Sequence, residues 1–287
     1  MGRPRLDRQQ VDDVIALALA EDLGPGDVTT AALIDPARAA RGRLVARAAG
    51  VLAGMPVARR LLERFDRRIR LSRAARDGAA LERGTILARL DGPAGPILSV
   101  ERTLLNFLQQ LSGIATATRR CVDLLAGTGV ELLDTRKTVP GWRALAKYAV
   151  AVGGGRNHRR GLYDQVLIKD NHLAASGLSP AEAVSAARAR APRGLRIEVE
   201  VETVRDARAA ARAGADIVML DNMPPARMTR AVRAIRAVRP RTLIEASGRI
   251  SPRTLRAVAQ TGVDRISAGA ITHSARALDI ALDLEAP

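Results

Sequence analysis

Chemically capable side chains are concentrated between residues 134 and 172. All three lysines of the chain fall in this window, although arginine supplies the rest of the 46 basic residues along the whole sequence. Arginine forks bind carboxylate or phosphate oxygens in pairs, whereas a lysine ammonium approaches a single oxygen closely. The window predicts a pocket for a small molecule with several anionic groups, and a solvated basic loop is the alternative. The candidate cations are Arg136, Lys137, His158, Arg159 and Lys169.

A second group of candidates is acidic. Glu198, Glu200 and Glu202 alternate with valines, and an extended chain places alternate side chains on one face. Inside a barrel, these carboxylates would need cations or solvent opposite them. Asp221 ends the next apolar run and is expected near Glu200. Such a pair could hold Mg²⁺ together with substrate oxygens or stabilise a positively charged sugar carbon, and the sequence alone leaves both roles open.

Glycine-containing turns form a third group. The glycines at 153–155 favour a ligand pocket, because glycine allows the backbone to approach a ligand. The turns at 247–250 and 267–270 each follow a predicted strand and precede a helix, so that backbone N–H groups could bind a phosphate there. In α/β barrels a phosphate site commonly follows the last two strands. We therefore predict a phosphate site at these two turns.

The elements that must position these residues alternate from residue 130 onwards. Six apolar runs of strand length are each followed by a turn and a helical stretch, which is typical of parallel strands joined by crossover helices. We expect a closed or nearly closed barrel, with an open doubly wound sheet as the alternative. The predicted strands are 130–134, 165–169, 196–201, 216–221, 242–246 and 264–268.

Polar residues recur where these predicted strands end. The active sites of α/β barrels are built at the carboxyl ends of the strands. Several polar side chains converging on that rim are harder to explain as solvated loop residues than a single one. The residues concerned are Asp134, Lys169, Glu200, Asp221, Glu245 and Ser267.

The first hundred residues read as mixed α and β structure. Helices are predicted at 57–65 and 99–126, and strand-like runs at 43–47, 68–71 and 85–90. Glycines between these runs supply the turns. This region is therefore expected to form a domain of its own class, distinct from the alternating pattern that follows.

Composition excludes several classes of protein. The single cysteine, Cys121, rules out an intramolecular disulfide framework. No apolar run approaches the length of about 18 residues that a membrane span needs. Charged residues interrupt the N-terminal segment, where a signal peptide would be apolar. The net charge of +16 raises the alternative of a basic nucleic-acid-binding protein, but the arginines are scattered and aromatic residues make up only 2%. We expect a cytoplasmic enzyme that binds neither nucleic acid nor membrane.

Eight motifs occur in order along the chain: EDLGPGDVTT (21–30), ERTLLNFLQQLSGIAT (101–116), DTRKTVPG (134–141), NHRRGLYDQVLIKDNH (157–172), EVEVE (198–202), DIVMLDNM (216–223), EASG (245–248) and ISAGAITHS (266–274). With them, the sequence resembles the quinolinate phosphoribosyltransferase family (nicotinate-nucleotide pyrophosphorylase, carboxylating) over nearly its whole length. The resemblance implies an N-terminal α/β sandwich-like domain and a C-terminal incomplete, TIM-like (β/α) barrel. We expect the first domain at 1–113, joined by a C-terminal helix at 275–287, and the barrel at 114–274.

The resemblance also implies an activity and a set of site residues. The family transfers phosphoribosyl from 5-phosphoribosyl pyrophosphate to quinolinate with decarboxylation, giving nicotinate mononucleotide, pyrophosphate and CO₂. It implies that Glu200 and Asp221 face the ribose and a bound Mg²⁺. It also implies a homodimer with a shared active site, or a hexamer of dimers. The catalytic candidates are Lys137, Lys169, Glu200 and Asp221. The implied substrate-binding residues are Arg102 (in the neighbouring subunit's site), Thr135, Arg136, Lys137, His158, Arg159, Lys169, Ser247, Gly248, Gly269 and His273.

Three positions depart from the family pattern. Arg249 stands where a small residue is usual, Val139 replaces a common threonine and Trp142 a common leucine. We interpret the last two as changes of shape beside the site, which bear on fine specificity rather than on the class of reaction. A paralogous phosphoribosyltransferase that acts on another anionic ring is therefore the nearest alternative function.

Overall fold

The structure, a computed structural model, describes residues 6–285, and the chain divides into two compact units. The first unit contains the residues up to Arg119, Thr138–Gly154 and the segment from Ser274 onwards. The second contains Arg120–Lys137 and Gly155–His273. The ends of the predicted domains, residues 1–5 and 286–287, lie outside the described residues.

Helices and strands are numbered in chain order. The helices are α1 Arg8–Leu23, α2 Val28–Leu33, α3 Met55–Phe65, α4 Ala94–Leu124, α5 Arg143–Val152, α6 Asp170–Ser176, α7 Pro180–Arg190, α8 Val204–Arg212, α9 Pro225–Val238, α10 Pro252–Ala259 and α11 Ala270–His273. The strands are β1 Ala39–Ala46, β2 Gly50–Val51, β3 Arg70–Ser72, β4 Ala80–Leu81, β5 Ile86–Pro93, β6 Glu131–Leu133, β7 Val166–Ile168, β8 Ile197–Val201, β9 Ile217–Asp221, β10 Leu243–Ser247, β11 Arg265–Ser267 and β12 Ile280–Glu285.

The first unit is built on an antiparallel sheet in the order β12-β1-β5-β3. The long helix α4 buries a leucine-rich face, as the spacing of Leu104, Leu108 and Leu111 predicts. Trp142 stacks on Phe107 of this helix, with ring centroids 5.1 Å apart. The tryptophan that departs from the family pattern therefore contributes to packing within this unit.

The prediction of a C-terminal helix at 275–287 is wrong for Ile280–Glu285, which form the strand β12. This strand pairs antiparallel with β1, and Leu282 lies opposite Leu44. Leu278, Ile280, Leu282 and Leu284 alternate with polar or small residues, a period of two that favours a strand over a helix. The prediction gave too little weight to that alternation.

Asp77 holds together three parts of the first unit. Its carboxylate accepts the backbone N–H of Gly54 at 2.8 Å and of Met55 at 3.0 Å, where α3 begins, and the hydroxyl of Tyr148 on α5 at 2.7 Å. Burial and the Asp77 charge both raise the pKa of Tyr148 above its usual value, so the hydroxyl remains a donor. Two helices are thus attached to one side chain.

We expect Asp77→Ala to destabilise the protein by about 2–3 kcal/mol, because it leaves two helix N-terminal amides and a half-buried hydroxyl without their acceptor. Urea unfolding followed by circular dichroism measures the change. Asp35→Ala is the control, since Asp35 accepts one exposed backbone N–H, from Ala37. Equal stability of the Asp77→Ala variant and the wild type would contradict this role.

The second unit is a parallel sheet of six strands in the order β6-β11-β10-β9-β8-β7. All six lie where the sequence predicts strands. In chain order the strands would close a circle, but within the described residues β6 and β7 are the two edges of the sheet and are not paired with each other. The incomplete TIM-like barrel is therefore confirmed, and the open doubly wound sheet is not.

Alternate residues of these strands face the inside of the barrel. Glu200 and Glu245 both lie in register with Met219, whereas Val199 and Ile244 lie in register with Val218. Parallel strands in register present such residues on a common face. The aliphatic set on the other face is buried, so the polar set must be the inner one. Across residues 6–285, no helix combines the length and the apolar character that crossing a membrane requires.

Candidate active site

A cavity of about 300 Å³ opens in the second unit where its strands end. This volume suits a small ligand. Residues 135–137 beyond β6, the loop before β7, and residues in or just after β7, β9, β10 and β11 contribute to it. Its lining residues are Thr135, Arg136, Lys137, His158, Arg159, Leu167, Lys169, Met219, Ser247 and Ser267.

Eight of these ten residues were candidates from the sequence. The structure brings together the cations Arg136, Lys137, Arg159 and Lys169 with His158, although the sequence separates them by up to 33 positions. The alternative of a basic loop in solvent is wrong for Arg159, which is only 7% exposed. Burial lowers the pKa of this guanidinium, and the nearby charge of Arg136 lowers it further.

Two apolar residues of the cavity were missed. Leu167 lies in register with Glu198, and Met219 lies in register with Glu200, so both point inwards from their strands. Both stand in near-continuous apolar runs, QVLIK and DIVMLD, which give no sign of which side chains reach the cavity. Only the register of neighbouring strands identifies them.

Lys169 and Glu200 form an ion pair at the rim. The ammonium Nζ lies 2.7 Å from Glu200 Oε2, with the lysine side chain 44% exposed and the glutamate 12%. This pair explains how β8 tolerates several carboxylates on its inner face. Glu202, the last of the alternating glutamates, lies beyond the end of β8 and is exposed.

Glu198 and Glu245 lie deeper and are fully buried. His158 Nε2 lies 3.1 Å from Glu198 Oε2 and 3.5 Å from Glu245 Oε1. Glu245 was expected at a strand end, but it stands in the middle of β10 and is enclosed by the barrel. Its role was therefore not predicted. Its acidic character at an inward position was the available signal.

His158 and Glu198 share a proton that the barrel interior retains. Burial and the charge of Glu245 raise the pKa of Glu198. Burial lowers the pKa of His158, but hydrogen bonds and charges from the two glutamates outweigh it and raise the pKa above its usual value. The contact of 2.7 Å between the Arg159 backbone N–H and His158 Nδ1 leaves Nδ1 without a hydrogen, so we place the shared proton on Glu198.

Asp134 fixes the loop that carries His158. This aspartate follows β6, is fully buried and accepts the backbone N–H of His158 at 2.8 Å. A further backbone bond runs from Asp134 N–H to the carbonyl of Arg156, beside the parallel bridge between Leu133 and Arg156. The strand end at β6 therefore holds the segment in which His158 and Arg159 lie.

The predicted phosphate turns lie on the same rim. Gly248 has φ +89°, and a Cβ there would lie 2.3 Å from Asn222 Oδ1, so no larger residue fits without a rearrangement. Asn222 in turn donates to Asp221 at 2.5 Å. A Cβ on Gly269 would lie 3.1 Å from both Lys137 Cδ and His273 Cδ2, which places these three residues together.

Some candidates lie elsewhere. Arg102 is exposed on α4, in the first unit. Gly153 was expected to admit a ligand, but a Cβ there would lie 2.6 Å from the Ala115 carbonyl oxygen, so this glycine permits close packing against α4. Arg249, with φ +49°, lines a separate groove of the second unit beside Asn222 and Gly248.

The carboxylates suit the divalent ion that the resemblance implies. Glu200 lies in register with Met219, two residues before Asp221, so the two acids lie on one face of neighbouring strands. Mg²⁺ prefers carboxylate oxygens, and it commonly completes its shell with water and substrate phosphates. The donor set at this rim therefore fits a Mg²⁺ ion that binds together with a pyrophosphate.

Comparisons with known proteins identify the family of this chain. The chain matches the family model "Quinolinate phosphoribosyl transferase, C-terminal domain" over 114–283 and the corresponding N-terminal domain model over 27–112. It is 45% identical to the nicotinate-nucleotide pyrophosphorylase [carboxylating] of Mycobacterium leprae, covering 95% of this chain and 96% of the relative. It is 43% identical to the probable enzyme of that name from Bacillus subtilis, covering 92% and 90%.

Solved structures give the same result. The crystal structure of NadC from Streptococcus pyogenes superposes with a TM-score of 0.92 at 40% identity, covering 98% of both chains. The nicotinate-nucleotide pyrophosphorylase from Francisella tularensis superposes with a TM-score of 0.91 at 36% identity, covering 99% of both chains. Sequence, fold and site agree, and the chain belongs to the quinolinate phosphoribosyl transferase family.

Proposed function

We propose that this protein transfers phosphoribosyl from 5-phosphoribosyl pyrophosphate to quinolinate and releases CO₂, giving nicotinate mononucleotide and pyrophosphate for NAD biosynthesis. The observation that carries the proposal is the cavity lined by Arg136, Lys137, His158, Arg159 and Lys169. Such a concentration of cations in a small volume is stable only with polyanionic partners or screening solvent. Both substrates are polyanions, and the relatives from Bacillus subtilis and Mycobacterium leprae are named as carboxylating nicotinate-nucleotide pyrophosphorylases.

The cavity matches quinolinate in charge and shape. The acceptor is a flat ring with two carboxylates, for which Arg136 and Arg159 offer bidentate hydrogen-bond donors. Leu167 and Met219 supply an apolar wall for the face of the ring. Lys137 adds a point charge. A ring flanked by cations and supported by an apolar wall would be held with its nitrogen directed towards the sugar.

The second substrate would occupy the rim. Ser247, Gly248 and Gly269 stand at turns that precede α10 and α11, and we assign the 5-phosphate to them together with His273. The pyrophosphate would face Lys169. In this proposal, the anomeric carbon would lie between the deep cavity and the rim.

In the transfer step, the ring nitrogen of quinolinate forms a bond to the anomeric carbon while the bond from that carbon to the pyrophosphate oxygen breaks. The sugar gains positive charge, which the carboxylates of Glu200 and Asp221 stabilise. The ammonium of Lys169, which lies 2.7 Å from Glu200, would also stabilise the negative charge that develops on the leaving group. A bound Mg²⁺ would neutralise charge on the pyrophosphate, with Glu200 and Asp221 as its protein ligands.

Decarboxylation follows from the first step. The alkylated ring nitrogen is positive, so it stabilises the electron pair left on the neighbouring carbon when the bond to the departing CO₂ breaks. That carbon then takes a proton, from Lys137, Lys169 or water. The cavity needs little further acid–base chemistry, because the positive nitrogen itself promotes loss of the carboxylate on the carbon next to it.

We also propose the assembly that the family resemblance implies. Arg102 would complete the active site of a neighbouring subunit in a homodimer, and such dimers could assemble into a hexamer. The exposure of Arg102 in the single chain is consistent with this role. A cytoplasmic location remains part of the proposal and rests on the sequence alone.

The test is an assay in which 5-phosphoribosyl pyrophosphate consumption depends on both quinolinate and Mg²⁺. We expect one CO₂ per pyrophosphate, and a loss of activity of at least about a hundredfold with excess EDTA that added Mg²⁺ reverses. Nicotinate replaces quinolinate in a parallel reaction. Turnover of nicotinate without CO₂ would favour the paralogous enzyme, and salt-sensitive RNA binding without any turnover would favour the nucleic-acid-binding protein.

A further inference from the structure

Four residues beneath the cavity form a closed ring of hydrogen bonds through side chains and two backbone groups, which we call the Arg159 ring. The Arg159 backbone N–H donates to His158 Nδ1 at 2.7 Å, and His158 Nε2 lies 3.1 Å from Glu198 Oε2. Gln165 Nε2 donates to the same glutamate oxygen. The backbone carbonyl oxygen of Gln165 accepts from Arg159 Nη1 at 3.2 Å, which returns the ring to its starting residue.

The first bond fixes the tautomer of the imidazole. A ring nitrogen that accepts a hydrogen bond carries no hydrogen, so Nδ1 of His158 is unprotonated and its hydrogen lies on Nε2. Nε2 therefore donates to Glu198. Both ring nitrogens are engaged by protein groups, and the imidazole presents its carbon edge and its face to the cavity.

A metal ion at this position disagrees with that geometry. His158, Glu198 and Glu245 do have the spacing of a metal site, with ligand atoms within 4.8 Å of one another. A metal would need the lone pair of Nε2, and the other ring nitrogen of a ligating histidine normally donates a hydrogen bond. In this protein the other nitrogen accepts one.

We propose that Glu198 is a positioning residue that holds Arg159 at both ends, through His158 at the peptide and through Gln165 at the guanidinium. This inference rests on the proposed function and refines it. Arg159 binds the quinolinate carboxylate, and His158 acts through the Arg159 peptide rather than as a donor to the substrate. Glu198 is fully buried and is not among the residues that line the cavity.

The tautomer is tested by NMR on wild-type protein labelled with ¹⁵N-histidine. The chain has only three histidines, so His172→Gln and His273→Gln assign the signals by elimination. We expect His158 to show a hydrogen on Nε2 and none on Nδ1, unchanged on addition of Zn²⁺. A hydrogen on Nδ1, or loss of the Nε2 hydrogen to Zn²⁺, overturns the proposal.

Kinetics test the positioning role. We expect Glu198→Gln to raise the KM for quinolinate about tenfold or more, with the KM for 5-phosphoribosyl pyrophosphate within about twofold of wild type and with mixed tautomers at His158. Gln165→Leu removes the side-chain bond to Glu198 that holds the Gln165 backbone carbonyl in place against Arg159, so it should raise the same KM. This second variant tests the proposal even if Glu198→Gln does not fold.

The matched control is Glu131→Gln. Glu131 is a barrel glutamate that pairs with Arg156 at 3.1 Å and lies outside the Arg159 ring, so its substitution should leave both KM values within about twofold. Equal KM values for quinolinate in wild type, Glu198→Gln and Gln165→Leu would overturn the positioning role. The expected tautomer in a protein without quinolinate turnover would support the ring and refute the proposed function instead.

Discussion

Replacing Arg159 by alanine is expected to lower kcat/KM for quinolinate about a thousandfold, with the protein still folded. A buried guanidinium that binds a carboxylate in bidentate fashion contributes two charge-assisted hydrogen bonds, each of about 1.5–3 kcal/mol, and about 4 kcal/mol corresponds to that factor. Lys137→Ala removes one point charge, so we expect a smaller loss of about a hundredfold. Steady-state kinetics with both substrates varied measures these changes.

Two further variants separate charge from geometry. Arg159→Lys retains the positive charge but loses the planar fork, and we expect an intermediate loss of about 10- to 100-fold. Arg205→Ala is the control, because Arg205 is an 89% exposed arginine of α8 that pairs only with its neighbour Asp206 among the contacts described. Circular dichroism and thermal unfolding establish that each variant is folded. Wild-type turnover in both Arg159→Ala and Lys137→Ala would refute the assigned cavity.

Mixing two inactive variants should restore activity if the active site is shared between subunits. Arg102→Ala and Lys169→Ala damage residues that would serve the same site from different subunits. When subunits exchange at random, half of the dimers are mixed and one of their two sites is intact, so we expect about a quarter of the wild-type activity. Native mass spectrometry verifies the exchange.

The control for this experiment is a mixture of Lys169→Ala with Lys137→Ala. Both lysines line the cavity of the same chain, so every mixed dimer carries one defect in each site and no activity should return. Recovery by both mixtures would show that the variants were not fully inactive. Verified exchange without recovery by the Arg102→Ala mixture would count against a shared site.

Much of the fold could be predicted because buried parallel strands are near-continuous apolar runs. DIVMLD and TLIEA differ from their surroundings in composition, and β9 and β10 lie within a residue of the predicted bounds. The strand β12 was missed because its alternation is short and follows a helical region. The unpaired edges of the barrel depend on which strands pair at long range, which a single sequence does not contain.

The candidate site was predicted where chemistry requires an unusual residue type. Lys137 and Lys169 were identifiable because this chain otherwise uses arginine, and both line the cavity. Met219 and Glu245 could not be identified from the sequence, because their contributions depend on strand register. Only the pairing with a neighbouring strand shows which residues of a strand point into the barrel. The hydrogen bonds of Glu198 likewise depend on a loop that precedes another strand.

The path of the chain between β6 and β7 has a consequence for recombination among relatives. The chain leaves the second unit after Lys137, passes through the first unit and returns at Gly155. Thr135–Lys137 lies before this excursion, and His158 and Arg159 lie after it. A chimera with its crossover inside 138–154 would take Thr135–Lys137 from one parent and His158 and Arg159 from the other. The activity of such hybrids would therefore measure whether these two parts of the cationic pocket are compatible between the parents.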